Sequence, residues 1–131
     1  MSEYAWSVEV PTPVDVTIER VTAELAARGF GVLTRIDAHE VFKKKLGIDR
    51  PPYVILGACN PGFARQAIEA EPAIGILLPC NVVVEAFGAG SRVFVTQPET
   101  LLGLTGRADL APIAADVAAR LAGVRDALAG A

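Results

Sequence analysis

Hydrophobic and polar positions along this chain follow two rhythms, and the switches between them mark its elements. Tyr4, Trp6, Val8 and Val10 alternate with Ala5, Ser7 and Glu9, a period of two that predicts a strand with one buried face. Thr12-Pro13 then reads as a helix start, Thr12 as cap and Pro13 in the first turn, with Asp15 suited to the positive end. Val14, Ile18, Val21 and Leu25 recur every three or four residues, and Gly29 marks the stop. Phe30 to Ile36 predicts a second strand with Phe30, Val32, Thr34 and Ile36 on one face. After it, Asp37 can cap a short helix whose apolar side is Val41, Phe42 and Leu46.

Pro51-Pro52 enforces a loop, and Tyr53 to Cys59 is apolar almost throughout, as in a strand buried on both faces. Asn60-Pro61 repeats the cap-then-proline signal and predicts a helix to about Ala70, with Phe63, Ala64, Ala67 and Ile68 inward. Ile74 to Leu78 and Asn81 to Phe87 read as strand-like pieces interrupted by Pro79. Gly88 to Ser91 is a turn, and Arg92 to Thr96 a returning strand. The stretch after Pro98 is too rich in glycine to predict a helix. A final helix follows on Leu110, Ile113, Val117, Leu121, Val124 and Leu128, with Asp109 as its cap. The hairpin argues against an all-parallel sheet. The predicted architecture is one α+β domain spanning 1–131, a mainly antiparallel sheet with helices on one face. The other face must be polar or covered by a partner, and strands as apolar as Val54-Ile55-Leu56 and Val82-Val83-Val84 predict a homodimer.

The composition, 52% hydrophobic with 21% charged residues, is that of a folded globular chain. A net charge of −3 opposes a nucleic-acid surface, and Lys43-Lys44-Lys45 is the single basic run. No stretch reaches the ~18 apolar residues of a membrane span, and no signal peptide is legible. A cytoplasmic protein is therefore expected, with no membrane partner and with its thiols reduced.

The chemistry gathers between Tyr53 and Phe87. Cys59 ends a buried strand just before a predicted helix N-terminus, where unpaired N–H groups and the helix dipole favour a thiolate. Arg65, about a turn into that helix, would add to this if it points back. Cys80 follows Pro79 after an intervening helix, a path that can return it to Cys59. Cys59 and Cys80 are thus a candidate thiol pair, with Asn60, Asn81 and Arg65 as polar groups for a ligand. If a metal is present, His39, the single histidine, could join the two cysteines as a third ligand. The ligand expected is a small molecule, a metal or a sulfur species, with no particular cofactor indicated. The competing reading is a binding or assembly module in which both cysteines are small core hydrophobes. No nucleophile elbow, phosphate loop or CxxC spacing is legible, which disfavours a conventional hydrolase or nucleotide enzyme.

The run KLGIDRPPYVILGACNP, an alanine-bearing helix and then IGILLPCNVVV resembles the bacterial and archaeal family called domain of unknown function 302. The similarity runs from about Val10 to Pro98, with Asn60-Pro61 and Leu78-Pro79 its most specific parts. The resemblance implies a TATA-binding-protein-like α+β fold, a curved antiparallel sheet with helices on one face, and a tendency to dimerise. It implies no activity, and other members carry different residues at the two cysteine positions. Likeness of fold does not bring DNA binding with it.

Overall fold

The computed structural model describes residues 3–130. The strands are β1 (Ala5–Val10), β2 (Gly31–Asp37), β3 (Tyr53–Cys59), β4 (Cys80–Phe87) and β5 (Gly90–Thr96). The helices are α1 (Val14–Ala26), α2 (Ala38–Leu46), α3 (Pro61–Ala70), α4 (Pro98–Gly103) and α5 (Ala111–Ala129), with 3₁₀ turns at Pro72–Leu77 and Ala108–Leu110. The strands form one sheet in the order β1-β5-β4-β3-β2, and every neighbouring pair is antiparallel.

Alternation sorts the strand residues onto two faces. Val54, Leu56 and Ala58 of β3, Val82 and Val84 of β4, and Val93 and Val95 of β5 are buried in one core. That core is completed by Val21 and Leu25 of α1 and by Val117, Leu121, Val124 and Leu128 of α5. Burying a side chain of this size stabilises by about 1.5–3 kcal/mol, so this layer dominates the fold. The other face carries a cross-strand row, Ser7–Phe94–Val83–Ile55–Ile36, that no helix among the described residues buries. Beside it runs Glu9–Arg92–Glu85–Tyr53, in which Arg92 pairs with Glu85 at 2.7 Å.

Several local expectations are corrected. Thr12 does not cap α1. Its hydroxyl lies 2.6 Å from that of Thr17, which also donates to Pro13 O, and Pro13 holds the cap position. Tyr4 lies outside β1 and is exposed, leaving Trp6, Val8 and Val10 on the core side. In β2 a register shift between Val32 and Thr34 adds a residue, so Val32 faces the core while Thr34 and Ile36 face away. The predicted strand at Ile74–Leu78 is instead a 3₁₀ turn begun by Pro72 and capped by Glu71. The glycine-rich stretch after Pro98 contains α4, which Gln97 caps through Glu99 N–H. Asp109 pairs with Arg107 instead of capping α5. Ile68 of α3 is exposed, and so are Val41, Phe42 and Leu46 of α2, where Ala38 alone is buried.

Candidate functional site

The β3–α3 junction is built as the sequence prescribes. Asn60 Oδ1 accepts from Phe63 N–H at 3.1 Å, the N-cap bond that starts α3. Asn60 Nδ2 donates to Gly29 O at 2.9 Å, which ties this helix start to the end of α1. Gly29 has φ +85, a conformation that favours glycine, and a Cβ there would crowd Asn60 Nδ2 at 3.0 Å. Asn60 is therefore committed to the fold through both ends of its amide.

Ala58 stands directly across from Cys80 in the β3–β4 ladder, so the two cysteines lie at neighbouring positions where the strands end. Gly57 makes this approach workable: a Cβ there would fall on Thr34 Oγ1 and 2.8 Å from Pro79 Cγ. The Leu78–Pro79 bond is cis. Cys59, Asn60, Phe63, Phe30, Pro79 and Cys80 line one cavity, which Ile113 and Val117 of α5 and Leu102 of α4 close. Its volume is about 30 Å³, room for one or two water-sized groups. Both cysteines are free and half-buried. Cys80 packs against the main core, and burial pushes its thiol up to about 11, with the Cys59 charge adding to the shift. It is a neutral S–H near pH 7. At the rim, the Arg120 guanidinium lies 4.9 Å from the Phe63 ring centroid, donates to Arg28 O at 3.0 Å and pairs with Asp116.

The other candidates lie elsewhere. Arg65 is solvent-exposed and pairs with Glu69 at 3.0 Å instead of turning back to Cys59. Asn81 is exposed at a depression of about 450 Å³ on the uncovered sheet face, with Tyr4, Tyr53, Val83 and Phe94. His39 accepts from Tyr53 N–H at 3.1 Å through Nδ1, at the start of β3. Cys59 ends that strand, and seven extended residues place the two ends ~20 Å apart. A site shared by His39 and the cysteines is thereby ruled out. Among the described residues, Asp37, His39 and Glu40 hold ligand atoms within 4.8 Å of one another. There Arg35 donates twice to Asp37 and holds its carboxyl below the usual range. Sequence reasoning missed Phe30, Leu102, Ile113 and Val117 as cavity walls. Their signal was the apolar stripe of the last helix, legible as core but not as lining.

A mainly antiparallel α+β sheet with a cysteine-lined cavity at one strand end is the class this geometry defines. The chain matches the family described as "Domain of unknown function DUF302" over residues 6–128, and it belongs to that family. It is similar to a solved structure described as the uncharacterized conserved protein DUF302 from Bacillus stearothermophilus. The two share 34% identity, the match covers 97% of this chain and 99% of that one, and the TM-score is 0.88. No curated protein matches. Among the described residues, no helix is long and apolar enough to cross a membrane.

Proposed function

We propose that the protein binds a small soft species, one sulfane sulfur atom or one thiophilic metal ion, in the cavity at Cys59 and Cys80. The observation that supports this is the lining: two free cysteines border one small, largely apolar cavity. Thiolates select soft partners such as Cu(I). Cys59 takes the species first, as the thiol that lies just before the N-terminus of α3, while Cys80 is held against the main core. With polysulfide, the Cys59 thiolate attacks a terminal sulfur, forming Cys59–S–S⁻ and releasing a polysulfide dianion one atom shorter. The Cys80 S–H then donates to the bound sulfur. With Cu(I), both sulfurs bind and two protons leave.

The test is native mass spectrometry of anaerobic protein after treatment with chelated Cu(I) or with inorganic polysulfide. One added copper or one added sulfur per chain is expected, and Cys59→Ala should abolish both adducts. Wild-type protein that acquires neither would sink the proposal. A second reading, a module with cysteines as packing, draws on the place of Cys80 in the main core. It expects Cys59→Ala and Cys80→Ala to move Tm with no adduct to lose.

A further inference from the structure

The lining of the cavity at Cys59 and Cys80 holds no charged side chain, so the sign of what enters it is set at the rim. Arg120 is the cation there. Val117, on the preceding turn of α5, lines the cavity, and the Arg120 guanidinium rests on the ring of Phe63, which lines it too. The point where Gly29 would carry a Cβ lies 3.0 Å from Asn60 Nδ2 and 3.3 Å from Arg120 Nη1. The guanidinium is thus a neighbour of Asn60, the residue that follows Cys59.

The hydrogen bonds that hold this side chain leave one of its nitrogens free. Nε donates to Asp116 Oδ1 at 3.2 Å and Nη1 to Arg28 O at 3.0 Å, while Nη2 has no hydrogen-bond partner among the described residues. The carbonyl of Arg28 takes a donor without cancelling charge. Asp116 cancels part of it, but the two side chains are 40% and 51% exposed, and pairs so open to water hold weakly. The ring of Phe63 favours the cation where it stands. Arg28 and Arg65 carry carboxylates of their own, Glu24 and Glu69. The chain as a whole has a net charge of −3, which repels anions, so a dianion approaching the Cys59 thiolate needs a local cation.

We propose that Arg120 selects anions for Cys59, so that the sulfur donor of this site is an inorganic polysulfide dianion in preference to a neutral organic polysulfide. The inference rests on Cys59 being the thiol that takes the species first. Arg120 binds the anion and takes no part in breaking the sulfur–sulfur bond. The test compares two alkylating reagents on Cys59 of the full chain, anionic iodoacetate and neutral iodoacetamide, by peptide mass spectrometry. In both, the thiolate displaces iodide and a C–S bond replaces the C–I bond, so the reagents differ chiefly in charge. Arg120→Gln should slow iodoacetate about threefold and leave iodoacetamide unchanged, Asp116→Asn should speed iodoacetate, and Arg120→Lys should keep most of the wild-type rate. Sodium chloride at about 0.5 M should erase the difference between wild type and Arg120→Gln. Persulfide formation from inorganic polysulfide should slow in Arg120→Gln by the same factor as iodoacetate. Wild-type protein that shows the alkylation pattern but takes up no sulfur would strike the sulfur donor and leave the anion selectivity standing. An Arg120→Gln variant that slows both alkylating reagents alike has only lost structure, and that result overturns the proposal. A ratio of the two rates that is the same in every variant overturns it as well.

Discussion

At the scale of single residues, the candidate site depends on three side chains and one missing one. Asn60 caps α3 and holds Gly29 O, so Asn60→Ala should lower stability by about 1–2 kcal/mol in urea unfolding. Asn60→Asp keeps the cap acceptor and should recover part of that loss. Gly57 leaves space for Thr34 and Pro79. Gly57→Ala should cost about 1–3 kcal/mol in the same assay, as overpacking does. Cys80 gives a pH signature. Its thiol is raised from 9.0 to about 11 in the folded chain, so between those values the unfolded chain has lost a proton that the folded chain retains. Stability is therefore full below pH 9 and falls as pH rises towards 11, by on the order of 2 kcal/mol. Cys80→Ala should flatten that alkaline slope, as read by urea midpoints across the range. Iodoacetamide at neutral pH should label Cys59 in the native protein and Cys80 only after denaturation, as read by peptide mass spectrometry.

At the scale of elements, what could be read in advance was what local chemistry decides. The Asn60-Pro61 signal gave α3 its start at Pro61, and the stripes of α1 and α5 became the buried face of the helix layer. The hairpin turn at Gly88 fell where glycine was needed, at φ +56. Elements set by tertiary context could not be read. The extra residue in β2 reversed the facing of Thr34 and Ile36, because Leu33 stands unpaired between the Val32–Ala58 and Thr34–Gly57 pairings. The 3₁₀ turn at Pro72–Leu77 has the apolar composition of a strand, but Glu71 caps it and Ile74 anchors it in a satellite core with Leu102 and Leu110. The amphipathic pattern of α2 promised burial. The structure leaves that face open, with Ala38 alone buried. Thr17 was missed because a hydroxyl on an apolar stripe looks like a flaw. Here it is buried among Thr12, Pro13 O and Ser91, and Thr17→Val should cost about 1 kcal/mol by thermal unfolding.

At the scale of the whole molecule, topology decides which candidates meet. Antiparallel pairing of β3 with β4 returns Cys80 to the end of the strand that carries Cys59. The same geometry sends His39 to the opposite end, beside Tyr53. Both placements follow from strand direction, which one chain's pattern does not specify without the register. Family membership and the 34% identical structure agree on the fold and leave the chemistry to the cavity. The measurement that bears most directly on that cavity is X-ray absorption at the copper edge of protein loaded with one Cu(I). The account predicts a first shell of sulfur alone, two scatterers in the wild type and one fewer in Cys80→Ala. A shell of nitrogen and oxygen, or a spectrum unchanged by Cys80→Ala, would contradict it.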